Sequence, residues 1–70
     1  MIVLEDIRNN LIEAIKTSGF TQTQIAEKLN IKQQTVSQYL SGRAMPSLDT
    51  FANLCVLLDL DANEILNIKQ

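Results

Sequence analysis

The sequence has no histidine and no tryptophan, one cysteine, one proline, two glycines, one tyrosine and two phenylalanines. A single cysteine makes neither an internal disulfide nor a cysteine-cluster zinc site, so the composition fits a reducing cytosol. Without histidine there is no imidazole to ligate a metal or act as a general base. Two glycines leave little room for a Gly-rich phosphate loop. No apolar run approaches the ~18 residues of a membrane span. Met1-Ile2-Val3-Leu4 lacks the basic start and long apolar stretch of a signal peptide.

What is present is globular. Apolar residues make up 46% and charged residues 20% of 70 positions, which leads us to expect a single domain over 1–70. A chain of this size buries only roughly 60% of its unfolded surface, so its stability is marginal unless it packs well or dimerises. The net charge is -2. An acidic balance argues against nucleic acid as partner, but the distribution changes that reading. From Lys28 to Leu48 the charges are Lys28, Lys32 and Arg43, all positive. Asp49, Asp59, Asp61 and Glu64 follow against Lys69, while Glu5, Asp6 and Glu13 face Arg8 and Lys16 near the start. The middle is basic and both ends are acidic.

Leu4, Ile7, Leu11, Ala14, Ile15 and Ser18 step by three and four, the stripe of an amphipathic helix that Gly19 ends as a left-handed cap. Thr21-Gln22-Thr23-Gln24 reads as a capping box opening a second helix with Ile25, Ala26 and Leu29 inside. Asn30 suits a left-handed turn. A third helix is predicted from about Gln33 to Leu40, with Val36 and Tyr39 buried, a poor cap in Lys32, and Gly42 as its stop. Ser47 is an expected N-cap for a fourth helix carrying Leu48, Phe51, Leu54, Cys55 and Leu58 on one face. Asp61-Ala62-Asn63-Glu64 reads as a capping box for a short fifth helix with Ile65 and Leu66. No segment alternates with period two, so no strand is expected.

The segment from Gln22 to Tyr39 thus holds two short helices about a tight turn, with small Ala26 letting them approach. That is a helix-turn-helix, whose second helix enters the major groove. Its exposed side is Gln33, Gln34, Ser37 and Gln38. Glutamine pairs with the N6/N7 edge of adenine, and a serine hydroxyl serves several bases.

The stretch from Leu11 to Leu66 resembles the Cro/cI-like (XRE-type) helix-turn-helix family, similar to the DNA-binding domains of lambdoid phage repressors. The resemblance rests on Gly19-Phe20-Thr21-Gln22, Ile25-Ala26-Glu27-Lys28-Leu29, Thr35-Val36-Ser37-Gln38-Tyr39, Ser41-Gly42-Arg43 and Pro46-Ser47-Leu48. It implies an all-α, compact five-helix domain that binds duplex DNA, usually as a symmetric dimer on a palindromic operator, in the cytoplasm of a bacterium or as a phage product. In similar repressors the positions matching Gln33, Gln34 and Gln38 touch bases, and the one matching Gln22 holds a phosphate. Lys28, Lys32, Thr35, Ser41 and Arg43 are the further expected phosphate contacts, which position the domain without reading sequence. The chain departs from the family in Lys32, where Ser or Thr usually caps the recognition helix. It departs also in Asn30 and Asp59, where Gly is common, and in Leu40, where an acid is common.

Plainer readings stand beside these. A Gln-rich helix can be a solvated face, and the cations can be solubilising charges. Tyr39 is expected in the core, and Cys55 as inert packing. The carboxylates Glu5 with Asp6 and Asp59 with Asp61 sit at helix ends without an evident cleft, so no enzyme, metal or cofactor is expected. Val56 and Leu57 project away from the fourth helix's apolar stripe, and Ile68 follows the fifth helix. We therefore expect a homodimer through Val56, Leu57, Leu66 and Ile68, with Met1 to Val3 as a second candidate contact. Two-fold symmetry would set the recognition helices about 34 Å apart, one turn of DNA. The alternative is an antitoxin-type interaction module that masks a partner protein, such as a toxin or an antirepressor, and binds DNA secondarily.

Overall fold

A computed structural model describes residues 1–68, and Lys69 lies outside them. The fold is all-α, with no strand among the described residues. Its helices are α1 (Leu4–Thr17), α2 (Gln22–Leu29), α3 (Gln33–Leu40), α4 (Leu48–Leu58) and α5 (Ala62–Ile65).

Local chemistry explains most boundaries. Ser18 caps α1, and Gly19 turns the chain at φ 84°. Thr21 then makes the full capping box: its hydroxyl accepts from Gln24 N at 3.1 Å, and the Gln24 amide oxygen accepts from Thr21 N at 2.8 Å. Asn30 ends α2 in the left-handed conformation, at φ 55°. Lys32 begins α3 with no side-chain cap, as its lack of an acceptor requires. Asp59 closes α4, again left-handed, at φ 54°.

Leu11, Ile15, Ile25, Ala26, Val36, Tyr39, Leu54, Leu58 and Ile65 form the core, with Ile25, Val36 and Leu54 wholly enclosed. α2 and α3 pack against each other, while α1 and α4 close over them. Asn10 ties α1 to the end of α5 by donating from Nδ2 to the Ile65 carbonyl at 3.1 Å.

Four expectations are corrected. Leu4 and Leu48 continue their helical stripes in sequence but are 56% and 86% exposed, because each sits in a first turn beyond the end of the core. They border an apolar groove with Ile7, Met45, Pro46, Phe51 and Leu66. Ser47 occupies the N-cap position of α4 without capping it. Its hydroxyl instead meets the Asp49 carboxylate at 2.5 Å and the Thr50 hydroxyl at 3.0 Å. The Asp49 carboxylate, held by Ser47 and by the N–H groups of Thr50 and its own residue, has its pKa pulled down. In α5 the expected box does not form: Asp61 is a plain N-cap, accepting from Asn63 N at 2.9 Å, while Glu64 N donates to the Asp61 backbone carbonyl. Leu57 does not stand clear of the body but packs, partly buried, against the core.

Candidate nucleic-acid interface

The turn between α2 and α3 is built from Asn30, Ile31 and Lys32. Ile31 N donates to the Ala26 carbonyl at 3.0 Å and Asn30 N to that of Glu27 at 3.3 Å. These bonds fold the chain back immediately after α2. On the inner side of α3, Val36 and Tyr39 are buried. Burial raises the Tyr39 pKa, with Asp49 adding to it, so the phenol stays neutral in the core.

The outer side of α3 carries Gln33, Gln34 and Ser37, all exposed, with Gln38 half-buried beside them. Side chain–side chain hydrogen bonds among the described residues join Asn10 to Asn67 and Ser47 to Asp49 and Thr50, so they leave these amides alone. The inner side of α3 is thus fixed by packing, and its outer polar side chains are left without side-chain partners among the described residues.

The flanking groups are arranged less evenly. Lys32 and Arg43 are exposed at the two ends of α3. Gln22 is half-buried in the first turn of α2, beside the capping box. Thr35 is half-buried. Ser41 is exposed, but its hydroxyl donates to the Gln38 carbonyl at 3.1 Å, so it must rotate to donate to anything else. Lys28 is exposed at the end of α2, where it lines a depression with Leu29, Asn53, Val56 and Leu57 and thus faces α4.

Residues 11–65 match the family model described as helix-turn-helix. The chain belongs to the XRE-type helix-turn-helix family. Its fold is also similar to the crystal structure of a transcriptional regulator from Listeria innocua. The TM-score is 0.72 at 31% identity, over 91% of this chain and 60% of that one. The chain therefore spans about three-fifths of that regulator's length. A comparison with curated proteins finds no match.

Within this helix-turn-helix domain, the residues expected at a dimer interface do not share one surface. Val56 and Leu57 line the depression beside Lys28, whereas Leu66 lines the apolar groove beside Leu4 and Ile7. Val56 and Ile68 are 83% and 46% exposed. Cys55 is half-buried, and burial together with the Asp61 charge pushes its thiol pKa up, which disfavours the reactive thiolate. No helix among the described residues is long and apolar enough to cross a membrane.

One residue near the interface was not foreseen. Arg8 of α1 reaches the turn after α3 and stands against Gly42. Nothing in the local sequence could announce it, because the approach depends on how α1 packs across α3.

Proposed function

We propose that this chain is a sequence-specific, double-stranded-DNA-binding transcriptional regulator that acts as a repressor. One observation carries the reading. A helix held from behind by Val36 and Tyr39 presents Gln33, Gln34, Ser37 and Gln38 outward, between the exposed cations Lys32 and Arg43. Neutral amides read base edges, and cations at both ends of the helix neutralise flanking phosphates. Gln22 would hold a phosphate at the start of α2, where backbone N–H groups favour an anion. Thr35, Ser41 and Lys28 would add further phosphate contacts, Ser41 after its hydroxyl turns away from Gln38.

As a repressor the protein would occlude polymerase at a palindromic operator, bound as a dimer. Two separate apolar patches support association: exposed Val56 with partly buried Leu57 on α4, and partly buried Leu66 with exposed Ile68 after α5. The same exposed apolar side chains favour a second reading, in which a partner protein such as a toxin or antirepressor covers one of these patches.

Selection of duplexes from a randomised pool, at low and near-physiological salt, tests the proposal. Enrichment of a palindrome with half-sites about one helical turn apart would support the operator-binding dimer. A pool that stays random at both salts would contradict it and leave the protein-partner reading.

A further inference from the structure

Arg8 stands outside the helix-turn-helix, yet its side chain crosses to it. Its Cδ lies 3.3 Å from where a Cβ on Gly42 would be, so the missing side chain at 42 is what lets the arginine stem lie against the turn. The residue is partly exposed, but its Nε is shielded from water and has no hydrogen-bond partner. A guanidinium is always charged, has donors and no acceptor, and loses stability when a shielded donor goes unpaired.

The turn itself does not satisfy it. The Gln38 carbonyl already accepts from Arg43 N at 3.0 Å, Ala44 N at 3.3 Å and Ser41 Oγ at 3.1 Å, and the Tyr39 carbonyl accepts from Gly42 N at 3.2 Å. Glu5, one turn earlier on α1, is exposed and likewise leaves Nε unpaired. α3 has no basic residue in its last turn, so Arg8 is the positive charge that the tertiary fold brings to this end of the helix. On either side of Gly42 stand Ser41 and Arg43, two of the groups assigned above to phosphate.

We propose that Arg8 is a further DNA-phosphate contact, delivered by α1 across Gly42 to the same stretch of backbone that Ser41 and Arg43 approach. The inference rests on the DNA-binding reading. With Nε shielded, the exposed part of the guanidinium is what a phosphate oxygen can reach, and its planar fork suits two-point contact. It also adds a cation to a domain whose net charge is -2 and whose α2–α3 region supplies only Lys28, Lys32 and Arg43.

The test compares wild type, Arg8→Met and Arg8→Lys on a fluorescent mixed-sequence duplex across a salt series, with circular-dichroism melts to establish that each is folded. Arg8→Met keeps an apolar stem over Gly42 and removes the charge. It should bind all duplexes more weakly, with a log K against log salt slope shallower by about 0.9. The wild-type advantage then shrinks about 3.5-fold between about 50 and about 200 mM salt. Arg8→Lys should keep the wild-type slope. A folded Arg8→Met with wild-type slope and affinity overturns the proposal, as does Arg8→Lys behaving like Arg8→Met. If Arg8→Met does not fold, Arg8→Gln takes its place in the same comparison. A wild type that binds no duplex even at low salt overturns both this proposal and the DNA-binding reading; a wild type that binds, beside an unaltered Arg8→Met slope, overturns this one alone.

Discussion

The two glycines offer a controlled perturbation of the turn that carries Ser41 and Arg43. Both have positive φ, 84° at Gly19 and 78° at Gly42, so alanine meets comparable backbone strain at each. Around Gly19 nothing lies within 4 Å of the added Cβ, whereas at Gly42 it meets Arg8 Cδ at 3.3 Å. Left-handed strain costs an L residue about 1–2 kcal/mol, and the stiffer unfolded chain returns about 0.4–1. Gly19→Ala should therefore lose about 0.5–1 kcal/mol. Gly42→Ala carries the same strain plus displacement of a packed arginine stem. That is mild overpacking of about 1 kcal/mol, giving a total of about 1.5–2. At roughly 4–8 °C per kcal/mol for a domain this small, the midpoints fall by roughly 2–8 °C and 6–16 °C respectively. The cycle closes with Arg8→Ala/Gly42→Ala, in which the glycine change should cost no more than Gly19→Ala does. Urea titrations followed by far-ultraviolet circular dichroism, fitted with a shared m value, give each term. Equal losses at the two glycines in the wild-type background, or additivity within about 0.3–0.5 kcal/mol, would refute the claimed Arg8–Gly42 contact.

Other outcomes follow from the same geometry. Gln38→Ala or Gln33→Ala should cost about 1–3 kcal/mol on the preferred duplex and relax base preference at one position, measured by competition among single-base variants. Equal loss on every duplex would remove that residue from the base-reading set. Lys32→Ala or Arg43→Ala should weaken binding to all sequences and lower the salt slope by about one unit in anisotropy titrations. Asp49, whose pKa is depressed by the Ser47 hydroxyl and two N–H groups, contributes stability that is present above the ordinary carboxylate pKa and lost as pH falls through its lowered value. Asp49→Asn should therefore flatten the fall of melting midpoint with acid, and an unchanged acid limb would refute that contribution.

The centre of the fold is legible because its punctuation is chemical. Thr21 with Gln24, Asn30 and Gly42 each do one local job, and the helices they bound fall at Gln22–Leu29 and Gln33–Leu40. The exposed amides of α3 are equally legible, since Val36 and Tyr39 fix which side faces inward. Periodicity fails where it meets the edge of the core. It assigns Leu4 and Leu48 an angle about their helices but not how far the neighbouring elements extend, and both emerge exposed. It likewise sends Leu57 outward, although the core reaches it. Ser47 has the residue type of a cap, but the Asp49 carboxylate is the stronger acceptor and takes the first-turn N–H groups of Thr50 and its own residue, with the Ser47 proton besides. Arg8 against Gly42 is beyond any local rule, because packing of α1 across the end of α3 joins two segments far apart in the chain.

In the proposed function the outward amides of α3 read bases. The direct measurement is a titration of the uniformly nitrogen-15-labelled protein with its selected duplex and with a scrambled one, following the side-chain amide signals of Gln33, Gln34 and Gln38. These signals should move strongly and become protected from exchange on the selected duplex, and move little on the scrambled one. Large shifts confined to α4 and α5, with the α3 amides unmoved on either duplex, would contradict it.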